Sequence, residues 1–236
     1  MVVMLVPNAD LAEVRRLKMA ATQRLLGDTI AISDIDWLGP TLLPGWTRAH
    51  VATHLARNAD VLRRYLTRLA ARPELERDDM VQDLEAGSRR SPLELQIDLD
   101  TSSGLLNDAF DQLTAEKWAT PLRGSLDGLT AADLPMMRLN EVVLHHVDLD
   151  CGFVFGDIDP KTAAWLLAWN LYRRVDLVTG PGIALQTSSG DVLRAGSGPG
   201  VSEVSGSDAN LLGWLTGRLP RTAVAGAEHV SIGPLR

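Results

Sequence analysis

A single cysteine, Cys151, occurs among 236 residues, so no disulfide can form within the chain, and a reducing cytoplasm suits it. Positive charge is also scarce. Lys and Arg total 23 against 30 Asp and Glu, a formal net charge of −7. A nucleic-acid binder needs a concentrated basic face, and this balance argues against one. Small anionic ligands stay admissible, because a few arginines in a cleft can hold them whatever the overall charge. No apolar run approaches the ~18 residues of a membrane span. The apolar opening MVVMLVP lacks the basic flank and cleavage site of a signal peptide. There is no internal repeat and no glycine-rich P-loop for phosphate.

What is present is ordinary globular composition, 45% hydrophobic and 22% charged, in a chain long enough for one large domain or two small ones. Apolar residues at Leu11, Val14, Leu17, Ala21 and Leu25 predict a first helix over 10–26, with Gly27 as its C-cap. A second helix is expected from Thr47, an N-cap, to about residue 71. Residues 72–90 are charged and poor in apolar positions, a surface excursion. Ser91, Pro92 and Glu94 form a capping box with proline at the first position, opening a third helix. Thr130 or Asp133 starts a fourth. Four helices with an interrupting loop predict an antiparallel four-helix bundle over 1–152.

Beyond Gly152 the texture changes. A helix is expected over 160–178, then short strands at 182–187, 192–195 and 201–205. The glycine-rich stretch at 197–200 reads as a hairpin loop. Ser207 and Asp208 cap a helix over 209–216 that Gly217 ends, and a last strand is expected near 229–232. Residues 153–236 thus form a smaller α+β domain, with Trp165, Trp169 and Trp214 as core residues that fix it to the bundle.

Two stretches carry chemistry. Residues 134–150, LPMMRLNEVVLHHVDLD, place Leu134, Arg138, Glu141, His145 and Asp148 on one helical stripe. Residues 45–60, GWTRAHVATHLARNAD, carry His50, His54 and Asn58 at four-residue spacing. Four of the chain's five histidines fall in these two stretches. One helix giving His54 and another giving Glu141 and His145 would supply two imidazoles and a carboxylate, a set that leaves a tetrahedral ion one open position. His50 reads as a hydrogen-bonding or helix-capping residue and His146 as structural. Asp148 reads either as a carboxylate that orients a ligand histidine or as a surface charge at the helix end. Cys151 reads as a small core residue.

Through these residues the chain resembles the mycothiol-dependent maleylpyruvate isomerase family, part of the DinB-like four-helix group. The resemblance rests on Gly45 to Arg48 with His54 and Asn58, and on Met137 and Arg138 with Glu141, His145, Val147 and Asp148. A third match is VSGSDANLLGWLTGR, which ends at Arg218. It implies zinc on His54, Glu141 and His145, with water or the thiol of mycothiol, the small thiol of actinobacteria, at the open position. Arg218 matches a family arginine that handles substrate or cofactor. The activity implied is isomerisation of maleylpyruvate to fumarylpyruvate. Mycothiol transfer to other electrophiles and a non-catalytic metal- or ligand-binding module stay open as alternatives. The chain departs from its relatives at Met80, where they carry an arginine; Arg77, Arg89 and Arg90 are the nearby cations. A small thiol and a small anionic substrate are the expected partners, for a monomer or weak homo-oligomer.

Overall fold

Four long helices carry the first part of the chain. The computed structural model describes residues 6, 9–69, 80–173, 181–196, 198–228 and 230. Its contacts divide the chain into two units, Met1–Phe153 and Val154–Arg236. The first unit holds α1 (Leu11–Ile30), α2 (Arg48–Arg68), the short α3 (Met80–Gly87), α4 (Pro92–Asp111), a single turn α5 (Ala115–Trp118) and α6 (Leu134–Asp148). The second is the smaller α+β unit. The expected fold class therefore holds, a four-helix bundle followed by an α+β domain.

Local chemistry sets most helix starts. The Asp10 carboxylate accepts the Glu13 N–H at the head of α1. At α4 the expected box is formed: the Glu94 carboxylate accepts the Ser91 N–H at 2.9 Å, while the Ser91 hydroxyl accepts from the Glu94 N–H. Gly27 does not end α1 as expected. The helix runs three residues further to Ile30 and caps at Ala31, because Thr29 is buried and Asp28 meets His146 at 3.1 Å. Those tertiary contacts outweigh the weak preference of one exposed glycine.

The helices do not alternate in direction. Gln96 near the start of α4 donates to the Leu26 carbonyl near the end of α1, and Lys18 of α1 donates to Asn107 near the end of α4. That pair is antiparallel. Ala52 of α2 packs with Leu95 of α4, and Arg57 with Asp98, so α2 and α4 run parallel. Arg48 at the start of α2 donates to the Leu149 carbonyl just beyond α6, and Arg138 near the start of α6 reaches further along α2. Those two are antiparallel, and α1 is parallel to α6. The order is up-down-down-up, a correction to the antiparallel bundle expected. Two parallel consecutive helices need a connection that returns along the bundle. Of the segment between them, residues 70–79 lie outside the described residues, and Met80–Gly87 forms α3, where only a surface excursion was expected. Leu25, Val51, Leu55, Leu99, Val142 and Leu149 from all four helices form a shared core. Truncating one such leucine to alanine costs about 2–5 kcal/mol.

In the second unit α7 (Pro160–Arg173) and α8 (Asp208–Leu215) pack with a sheet of β1 (Pro181–Thr187), β2 (Val192–Ala195) and β3 (Gly198–Gly206). The strand order is β2-β1-β3, with β2 antiparallel and β3 parallel to β1. β2 and β3 thus flank β1 rather than pair, so the glycine-rich link between them is not the hairpin loop expected. The link passes close to the start of β1: a Cβ at Gly182 would meet the Ala195 and Gly196 carbonyls at 3.3 Å. Trp169 and Trp214 are buried, while Trp165 is half-buried with Lys161 over its ring. The strand expected near 229–232 lies outside the described residues apart from Val230, as does helix beyond 173. Among the described residues no helix is long and apolar enough to cross a membrane.

Candidate metal centre

Where α2 and α6 run side by side, three polar side chains converge. The donor atoms of His54, Glu141 and His145 all lie within 4.8 Å of one another. His54 Nε2 stands 3.0 Å and His145 Nε2 3.4 Å from the same oxygen, Glu141 Oε2. The two imidazoles meet edge to face, centroids 4.6 Å apart. Glu141 and His145 share a face because they are one turn apart on α6, and His54 faces them from α2.

The spacing fits a divalent ion. Bonds of about 2.0–2.1 Å in a tetrahedron place neighbouring ligand atoms about 3.3 Å apart, close to both separations. Two nitrogens and one carboxylate oxygen are the donor set that zinc takes while keeping a position open.

The surroundings prepare each donor. Asp148 is completely buried, and its Oδ2 lies 2.8 Å from His145 Nδ1. With Nδ1–H held by this carboxylate, Nε2 is the ring nitrogen left to face Glu141, where it can bond the carboxylate when protonated or an ion once that proton is lost. Of the two readings of Asp148, the one that orients a histidine is the one observed. Burial opposes ionisation of Glu141, yet hydrogen bonds and charge from His145 and His54 hold its carboxyl well below the usual range. Burial likewise opposes protonation of His145, and its bonds to Asp148 and Glu141 override it and raise the pKa.

The other residues singled out in the sequence fall around this centre. His50 caps α2: its Nδ1 accepts the Thr47 N–H at 3.2 Å, and its Nε2 is 3.5 Å from Glu85 of α3. His146 faces away, stacked on Phe153 at 4.1 Å. Arg48 clamps the end of α6, donating to the carbonyls of Leu149 and Asp150 at 2.8 Å each. Asn58 accepts from Arg138 at 2.8 Å. Burial lowers the Arg138 pKa to about 10, against the opposing pull of Glu141 and Asp60, so the guanidinium stays charged at neutral pH.

Cys151 is half-buried against the bundle core. Burial and Asp28 raise its thiol pKa, which disfavours a nucleophilic thiolate. Arg90 is held by Asp98 at 2.7 Å and Arg89 is exposed. Met80 begins α3, and Arg77 lies outside the described residues. Arg218 belongs to the second unit. It follows Gly217, whose φ of 76° turns the chain out of α8, and its Nη1 donates to the Thr216 carbonyl at 3.3 Å. Trp46, which the sequence placed in the matching stretch from Gly45 to Arg48 without a role, has its ring 5.6 Å from that of His54. Its place in a turn before α2 left no periodic signal. Sequence reasoning missed the partners of Arg138, although the stripe contained that residue.

Residues 19–150 match the family model described as the mycothiol maleylpyruvate isomerase N-terminal domain. Among curated proteins none matches the chain. Two solved structures are similar over 97% of this chain and 98% of theirs. One is described as the mycothiol-dependent maleylpyruvate isomerase, with a TM-score of 0.85 and 24% identity. The other is a histidine-to-alanine mutant of that description, with a TM-score of 0.84 and 23% identity. At such identity the likeness establishes the fold.

Proposed function

The chain belongs to the mycothiol maleylpyruvate isomerase N-terminal domain family, and on that premise we propose that it is a metal- and mycothiol-dependent isomerase converting maleylpyruvate to fumarylpyruvate. The observation that carries this reading is the convergence of two imidazole nitrogens on one carboxylate oxygen. His54, Glu141 and His145 are the proposed ligands of a zinc ion. Bound there, the ion and mycothiol would supply a thiolate nucleophile for reversible addition to the activated double bond.

The protein's share is to hold and to exclude. Asp148 fixes the tautomer and tilt of His145, so that its lone pair points one way. Glu141 adds one negative charge, leaving the centre cationic enough to favour an anionic fourth ligand. Trp46 covers one side of the His54 ring. Cys151, with its raised pKa, is not the nucleophile; the reading needs none from the chain. Arg218 is proposed to grip a carboxylate of the substrate or cofactor with its planar fork.

An assay of the metal-replete protein over a small panel of electrophiles tests this. Isomer should form from maleylpyruvate only when mycothiol is present, with no net consumption of thiol. Thiol adducts that accumulate without release would make the protein a transferase. Zinc binding without turnover of any electrophile would make it a non-catalytic module.

A further inference from the structure

Among the described residues Arg138 is the largest fully buried side chain, 1% exposed. Nothing in the chemistry above uses it. The acceptors it bonds are neutral: the Leu55 carbonyl at 2.7 Å and Asn58 Oδ1 at 2.8 Å from one terminal nitrogen, and the Ser103 hydroxyl at 3.2 Å from the other. Enclosing a guanidinium is costly in desolvation, and neutral acceptors, with the charges of Glu141 and Asp60 acting on it without a bond, return less of that cost than a directly bonded carboxylate would. An apolar side chain of similar length would fill the space without it. Stability alone therefore does not account for this residue.

The position of the fork does. Leu55 directly follows His54, and Asn58 lies one turn beyond it. Arg138 stands one turn before Glu141, on the stripe that also carries His145. The two donor-bearing helices are thereby tied right beside their donors, and the bond to Ser103 braces the tie against α4. Apolar helix faces by themselves tolerate sliding and rotation. An offset of one residue along α2 would move His54 by about 1.5 Å and turn it by about 100°, parting its Nε2 from Glu141. A planar group with donors in fixed directions resists such an offset where a flexible ammonium would not.

We propose that Arg138 is a positioning residue for the metal centre: its fork locks α2 in register with α6, so that His54 offers Nε2 to the same carboxylate oxygen as His145. This rests on the metal-binding reading of the centre and deepens it by naming what holds the donors in place.

Arg138→Met and Arg138→Lys test it. The first removes charge and fork, and the second keeps the charge alone. Zinc affinity is read by competition with a chromophoric chelator, beside urea unfolding of the metal-free proteins. Both variants should bind zinc at least about tenfold more weakly, while the metal-free Met variant is as stable as the wild type or more so. Wild-type zinc affinity in either variant overturns the proposal; in the Lys variant it would make charge the cause instead of register. A crystal structure of the metal-free Met variant separates this from the metal reading. His54 Nε2, 3.0 Å from Glu141 here, should move out of hydrogen-bond reach. An unchanged contact overturns the positioning role even where the wild type binds no zinc, a result that by itself refutes only the metal reading. If the Met variant does not fold, Asn58→Ala takes its place. It removes one acceptor, and an unchanged zinc affinity there counts against the proposal.

Discussion

Asp148 holds His145 by a 2.8 Å contact to Nδ1 from a position with no solvent exposure. The carboxylate has no water to turn to, so the imidazole orientation is fixed before any ligand arrives. Asp148→Asn keeps the shape and loses the charge. We expect zinc affinity to fall by about tenfold or more, read by chelator competition, with helix content unchanged by circular dichroism. Wild-type affinity would return Asp148 to a purely structural place.

Metal content is the direct test of the donor set. Purified wild type should carry one zinc per chain, and His54→Ala should carry far less. The bundle should stay folded, since its core of Leu25, Leu55 and Leu99 does not depend on an ion. Equal zinc in both proteins would remove His54 from the ligands.

Cys151→Ser should keep most of its activity, because burial and Asp28 raise the thiol pKa and the sulfur that reacts is proposed to arrive with mycothiol. Omitting mycothiol should abolish turnover. Activity without added thiol that vanishes in the serine variant would reveal a cysteine enzyme.

For Arg218 the decisive change is to lysine. A charge that only satisfies carbonyls at the end of α8, as the contact to Thr216 does, is well replaced by lysine. A bidentate clamp is not. On the proposed role kcat/KM should fall about tenfold or more, roughly 1.4 kcal/mol in the transition state, with zinc content unchanged. Wild-type kinetics on a verified substrate would exclude it.

Lys18 gives a pH-dependent prediction. Its amine is buried, 3% exposed, bonded to Asn107 and set 4.8 Å over the Phe110 ring. Burial, then Arg138 and Arg15, lower its pKa from 10.5 to about 8. The folded state therefore disfavours the charged amine, at a cost of roughly 3 kcal/mol. That cost is fully present below about pH 8 and is relieved as pH rises toward the unfolded value of 10.5. Lys18→Met removes it and gives up one hydrogen bond worth about 1 kcal/mol. Urea unfolding should show the variant more stable by about 2 kcal/mol at pH 7, with the advantage shrinking by pH 10. A constant difference across that range would show that the amine is solvated.

Much of this was legible because its signals are local. The capping box of Ser91 and Glu94 and the four-residue spacing of Glu141 and His145 lie within one turn of helix, where sequence distance is spatial distance. His54 was found by a different route, the clustering of histidines in two stretches. Helix direction was not legible, since α2 and α4 are read alike whether parallel or antiparallel. α3 sits in a charged segment whose apolar pattern is too short to register. Gly27 misled because the contacts that carry α1 past it come from α6. The partners of Arg138 were hidden for the same reason: Asn58 and Ser103 lie 80 and 35 residues away, and nothing in the spacing connects them.

The His54–Glu141 contact joins residues 87 positions apart. An ion seated there would act as a staple on the chain, closing a loop that holds most of α2, then α3, α4, α5 and the start of α6. The entropy of closing a loop rises with its length, if slowly, so most of the ordering cost is already met when the bundle folds. Affinity for the ion and resistance of the bundle to opening are then one quantity seen from two sides. Chelation would accordingly loosen first the seam between α2 and α6, and amide exchange there would quicken before it did along α1.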